Sequence, residues 1–225
     1  MKKILLVLSI SILFALEITA QNKSKFEGVV IYNISFDGAG LPPEAIAMLK
    51  GAETVTYLKA DKQRVDMIMP MQSTSSIMDN KNRNIVTLMD IMGQKFLIKM
   101  NDSDIKKEQD TAPELVIKYT DETKDIAGYK CKKAEISAKD NGEKIVNVFY
   151  TEEISSIDLK PIYKGLKGFP LEYSVNQSGM EMKFTAKSIS KETVADSKFE
   201  IPKEGYRETT IEELQKTMMK QMGGQ

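Results

Sequence analysis

The run Met180-Glu181-Met182-Lys183-Phe184-Thr185-Ala186-Lys187 alternates apolar and polar residues without a break. Successive side chains of a strand point to opposite faces, so this pattern specifies a strand with one buried and one wet face. Leu171-Glu172-Tyr173-Ser174-Val175-Asn176 repeats it, and Val65, Met67, Met69 and Met71 share a face from which Arg64 and Asp66 point away. Further strand-like runs are Phe26–Phe36, Glu53–Ala60, Lys62–Met69, Ser73–Asp79, Asn84–Asp90 and Lys95–Met100. After a polar interval come Leu115–Thr120, Tyr129–Ser137 and Lys144–Thr151. Asp140-Asn141-Gly142 and Gln177-Ser178-Gly179 carry hairpin-turn chemistry. Short strands at this spacing predict an antiparallel sheet, either a curved, barrel-like one or a sandwich.

Two segments change period. Leu41–Gly51 has Pro42 and Pro43 at its entry, Glu44 in the first turn and a Lys50-Gly51 exit, the punctuation of a short helix. From Thr209 onward, Ile211, Leu214, Met218 and Met222 recur on one helical face, with Thr209 and Thr210 as caps and Gly223-Gly224 beyond the end. Asn101–Pro113 is the most polar stretch and reads as an exposed connection between two halves of one sheet. Ile154–Pro170 holds two prolines and two glycines and does not read as a regular strand.

At the start, Lys2 and Lys3 precede the uncharged apolar run Ile4–Leu16, and Ile18-Thr19-Ala20 offers a small residue at a cleavage point. That is a secretory signal, too short to span a bilayer as a helix. Residues 1–20 are expected to be removed, leaving one exported domain over 21–225, with the sheet in 26–208 and the terminal helix in 209–222. Gln21 follows the cut, so a lipoprotein is not expected, and no later run reaches transmembrane length. The expected location is the periplasm or the outside of the cell.

The chemistry open to such a chain is narrow. It has no histidine, no tryptophan and one cysteine, Cys131. Histidine-dependent triads, histidine metal sites, an intramolecular disulfide and CxxC chemistry are therefore closed to it. Lys plus Arg equals Asp plus Glu, 32 against 32, which gives no electrostatic reason to expect a nucleic-acid partner. The acid pairs Asp121-Glu122 and Glu152-Glu153 would point to opposite faces of a strand, and Glu212-Glu213 sits in a helix's first turn. Lysines 130, 132 and 133 could activate Cys131, but a small residue packed within a strand is the favoured reading. No phosphate loop or serine elbow is found. No catalytic residue, cofactor or metal is expected.

Seven of the 14 methionines lie between Met67 and Met100. Methionine fills irregular space, so these are either core or an adaptable lining for an apolar ligand. A Cu(I) site at Met67, Met69 and Met71 is disfavoured, because sulfurs on one strand face sit about 7 Å apart. The candidate lining is Val65, Met67, Met69, Met71, Phe96, Ile98, Tyr173, Val175, Met180, Met182 and Phe184, with Ile46 and Leu49 on a covering helix. The alternative is a solid-cored module of the cell envelope that docks a protein partner through Ile211, Leu214, Met218 and Met222.

Several motifs point to a known family. Asp121–Ile136 (DETKDIAGYKCKKAEI), Phe149–Ile154 (FYTEEI) and Gly165–Tyr173 (GLKGFPLEY) occur in that order. Phe26-Glu27-Gly28, Tyr57-Leu58-Lys59, Arg64-Val65-Asp66-Met67 and Phe199–Tyr206 (FEIPKEGY) accompany them. The chain resembles the exported domain of unknown function 4412 family and is similar to the GLPGLI family. The resemblance implies the superfamily fold of LolA, LolB and LppX, envelope carriers of lipids and lipoproteins. The expected fold is thus mainly β with α+β character. It is a strongly curved antiparallel sheet, an incomplete LolA-like barrel, with a short helix after the first strand and a C-terminal amphipathic helix. The expected function is non-catalytic binding of a lipid, acyl chain or other amphipathic ligand.

Overall fold

The alternating runs assemble into one sheet of twelve strands. The computed structural model describes residues 26–37, 49, 51–70, 72–155, 164–177 and 180–222. The signal segment, most of the early helix with Ile46, Met71, and the Ser178-Gly179 turn lie outside the described residues. In chain order the strands are β1 (Gly28–Asp37), β2 (Glu53–Lys59), β3 (Lys62–Met69), β4 (Gln72–Asp79), β5 (Asn84–Ile91), β6 (Gln94–Met100), β7 (Leu115–Ile126), β8 (Tyr129–Ala138), β9 (Lys144–Thr151), β10 (Phe169–Gln177), β11 (Met180–Lys191) and β12 (Arg207–Glu208). Their spatial order is β12-β6-β5-β4-β3-β2-β1-β11-β10-β9-β8-β7, antiparallel throughout except for the short β12–β6 pair. Consecutive strands pair except β6 with β7, which lie toward opposite ends of the sheet, and β11 with β12; β1 joins the two halves by pairing with both β2 and β11.

The sheet is open and curved. Lys124, near the end of the edge strand β7, reaches Glu172 on β10, although β8 and β9 intervene in the strand order. Ile126 and Cys131, from the same hairpin end, join the core cluster of Val30, Leu171 and Phe184. Only a hairpin that curls back over the sheet makes both contacts. A register shift between Tyr119 and Thr123 supplies the bend, since a bulge kinks its strand and increases the local twist.

Asn101–Pro113 is not the open connection the sequence suggests. Asp102–Thr111 forms helix α1, started by a reciprocal capping box between Asn101 and Asp104. Its one buried residue, Ile105, packs against Met78 and Ile85. The predicted terminal helix is present as α2 (Ile211–Met222), capped by mutual hydrogen bonds between Thr210 and Glu213. Pro170 also differs from expectation, because it lies inside β10 at a register shift against β9. Its carbonyl accepts the Tyr32 hydroxyl at 2.7 Å.

Between β11 and α2 the chain straps the sheet. Residues 192–206 cross one face, where Val194 and Phe199 bury against Ile77, Val86, Leu88 and Leu97. Lys59 donates to the Val194 carbonyl and pairs with Asp196, while Arg64 donates to the Lys198 carbonyl. β12 then rounds the β6 edge, and Leu214 of α2 lands on Phe96 and Ile98 on the other face. No helix among the described residues is long and apolar enough to cross a membrane.

Candidate functional site

Directly paired residues of an antiparallel sheet share a face, so the register identifies which side chains stand together. One row runs Phe96, Met89, Thr74, Met67, Thr54, Tyr32 and Ala186 from β6 to β11. Beside it runs Ile98, Thr87, Ser76, Val65, Thr56, Val30 and Ile189. The flanking rows are Met100, Ile85, Met78, Gln63, Leu58 and Gly28 on one side, and Gln94, Ile91, Gln72 and Met69 on the other. From β6 to β1 these four rows contain no charged residue; beyond Gly28 its row meets Lys191 of β11. The charges of the same strands, among them Glu53, Lys62, Arg64, Asp66, Asp90 and Lys95, occupy the opposite face.

On the uncharged face β10 and β11 continue with aromatic residues. Tyr173 stacks on Phe184 with ring centroids 4.8 Å apart and meets Tyr32 edge-on at 6.1 Å. Burial pushes the Tyr173 phenol above its ordinary pKa. At the β6 end, α1 and the start of α2 stand apart and leave a cleft of about 410 Å³. Its floor is Ile98 and Met100 from the uncharged face; its walls include Asp104, Lys107, Glu108, Ile211 and Glu212. Glu212 is held below the usual carboxyl range by its own backbone N–H, then by the Thr210 hydroxyl and Lys107. A cavity of this size, apolar below and polar at the rim, suits a small amphipathic molecule.

The structure sorts the residues singled out from the sequence. Val65, Met67, Met69, Tyr173 and Val175 are half-buried on the uncharged face. Met182 and Phe184 share it but are buried in the central cluster. Phe96 is not an open wall, because Leu214 of the protein's own α2 packs on it, and Ile98, packed against the same leucine, lines only the cleft floor. That contact also corrects the docking expectation: Leu214 is 8% exposed and spent on the sheet, whereas Ile211 is 46% exposed. The side chains of Met180, Met218 and Met222 lie outside the described residues; Leu49 is described only as a half-buried turn residue. Cys131 is fully buried, and burial, with Asp125 next, pushes its thiol up to about 11, contrary to activation by lysines. The sequence reading missed the hydroxyls of Thr54, Thr56, Thr74, Ser76 and Thr87.

Residues 30–210 match the family described as N-glycanase peptide, N-terminal domain. The chain belongs to this N-glycanase N-terminal domain family. The solved structure of PNGF-II in its P21 crystal form superimposes with a TM-score of 0.53 at 19% identity, covering 87% of this chain and 34% of that one. This N-glycanase-type domain therefore spans about a third of the PNGF-II chain, and the likeness concerns the fold. A β-barrel-like protein of domain of unknown function 1849 from Brucella abortus gives a TM-score of 0.38 at 9% identity, covering 75% of this chain and 98% of that one. A LolA superfamily protein from Nitrosomonas europaea gives 0.34 at 9% identity, covering 79% and 91%. No curated protein matches the sequence. The family shown is the N-glycanase one; membership of the domain of unknown function 4412 or GLPGLI families is not shown.

Proposed function

We propose that this domain is a non-catalytic, exported binding module that holds an apolar or amphipathic ligand, such as a lipid or acyl chain, against the uncharged face of its curved sheet. The observation that carries the reading is the cleft between α1 and α2, whose floor is the end of a face without a charge in four cross-strand rows. A ligand's apolar part would run between the half-buried Val65, Met67 and Met69 and the cleft. Each methylene moved out of water onto such a surface contributes about 0.8 kcal/mol, so a chain of ordinary length binds without polar chemistry. Native mass spectrometry and solvent extraction of protein isolated from its source test this. Co-purified amphiphile in near-stoichiometric amount is expected, with weaker retention by Ile211→Glu at the cleft wall. A clean extract, together with no uptake of a fluorescent acyl probe, overturns it.

The family favours a second reading, in which the module serves an N-glycanase catalytic part and contacts its glycoprotein substrate. Saturable binding of an N-glycopeptide, unaffected by Ile211→Glu, would support that reading over the first.

A further inference from the structure

We infer that the ligand of the uncharged face is a neutral amphiphile whose polar part carries hydroxyl, ether or carbonyl groups, and is neither a fatty-acid carboxylate nor a phosphate ester. This rests on the binding role proposed above and narrows it. A face built only for hydrocarbon would present Val, Ile and Leu at its inward positions. Here Thr54, Thr56, Thr74, Ser76 and Thr87 interrupt the two central rows between β2 and β5. Some of these hydroxyls have partners: Ser76 and Thr87 lie 3.4 Å apart, and the Gln72 amide donates to Thr74 at 3.4 Å.

Thr54 is different. It is 2% exposed, and its hydroxyl has no hydrogen-bond partner among the described residues. A buried hydroxyl left without a partner is costly and uncommon in native proteins, and it marks a place where a group from another molecule completes the bond. The register places Thr54 between Met67 and Tyr32, next to the methionine assigned to the ligand's path.

Charge decides which polar group fits. Between β6 and β1 the four rows offer no lysine or arginine to compensate an anion taken out of water; the nearest in register, Lys191, lies beyond Gly28 at the far end of its row, and burying an uncompensated carboxylate or phosphate is strongly unfavourable. The cleft does not supply the missing cation. Its lining sets the carboxylates of Asp104, Glu108 and Glu212 against the ammonium groups of Lys99 and Lys107. Lys99 is already bonded to Glu208 at 2.7 Å. A neutral head meets Thr54 without that penalty.

Monolaurin, laurate and lauryl phosphate share one acyl chain and differ in the head, so their competition for a fluorescent acyl probe on the full chain tests the inference. Monolaurin is expected to displace the probe at a concentration roughly tenfold lower than either anion. Thr54→Val should weaken monolaurin several-fold more than it weakens laurate, and Thr54→Ser should restore monolaurin binding. The inference is overturned if laurate or lauryl phosphate competes as well as monolaurin, or if Thr54→Val, shown by its melting temperature to be folded, binds monolaurin like the wild type. If the probe itself does not bind, the underlying binding role fails, a result distinct from either of these.

Discussion

Removing the charge of Glu172 should loosen the curled β7–β8 hairpin end, and the size of the effect can be worked from its contacts. The Glu172 side chain is 8% exposed and accepts from Lys124 at 2.7 and 3.0 Å and from the Thr185 hydroxyl at 3.2 Å; Lys183 approaches at 3.2 Å. Hydrogen bonds to charged groups contribute about 1.5–3 kcal/mol and neutral ones about 0.5–1.5. Lys124 and Lys183 remain substantially hydrated, which reduces what each pair adds. Glu172→Gln keeps the shape and part of the bonding, so a loss of about 1–2 kcal/mol is expected. Burial alone would raise this carboxyl's pKa, but the hydrogen bonds from Lys124 and Lys183 outweigh it, and the group ends below its ordinary value. Its folded pKa therefore lies below its unfolded one, near 4.3. The stability it contributes is fully present above that value and is lost as pH falls through the folded pKa, because the unfolded chain takes up the proton first. Urea unfolding followed by far-ultraviolet circular dichroism at pH 7 and at steps down to pH 3 measures the difference between wild type and Glu172→Gln. That difference should be greatest near neutrality and shrink below about pH 4.5. A constant difference across the range, or none at pH 7, refutes the assignment of a charged Glu172 clamping the hairpin.

Three further outcomes follow from the same geometry. Phe199→Ala empties the main apolar anchor of the strap over Ile77, Val86, Leu88 and Leu97, and should cost about 3 kcal/mol in chemical denaturation while raising hydrogen exchange across residues 192–206. Gly168→Ala places a Cβ 2.1 Å from the Thr151 carbonyl oxygen, so β9 and β10 must part; a loss of about 1–3 kcal/mol is expected, and unchanged stability would mean that the backbone relaxes freely there. Cys131, fully buried with its thiol pushed up to about 11, should resist alkylation by iodoacetamide at pH 8 in the native protein and react fully in urea, as mass spectrometry would show.

Period and turn chemistry carried most of the fold in the sequence, and they failed where one residue, or none, enforced the period. α1 buries Ile105 alone, so it has no apolar face to read; its only trace is the Asn101–Asp104 capping pair, which the polar composition hid. β12 is two residues long and exists because β6 has a free edge to pair with. β2 shows a deeper limit. In Glu-Thr-Val-Thr-Tyr-Leu-Lys, polarity alone would turn Val55 and Tyr57 inward, yet Thr54 and Thr56 are buried with Leu58 on the other face. Alternation fixes that two faces differ; which one is enclosed depends on what lies across each, and segments remote in sequence decide that. The same applies to the site. That Val65, Met67 and Met69 share a face was legible, but that α2 folds Leu214 over Phe96 and Ile98 was not. The motifs that prompted a family resemblance are explained by the same packing. Ala127 and Gly128, at φ 49° and 85°, form a tight hairpin turn ahead of Cys131 in the core. Gly168 marks a close backbone approach, and Pro170 sits at a register shift where its carbonyl takes the Tyr32 hydroxyl. Residues of this kind specify how the sheet turns, bends and closes on its own core. They carry no information about what it binds, which here has to be read from the uncharged rows and the buried Thr54 hydroxyl, which has no hydrogen-bond partner among the described residues.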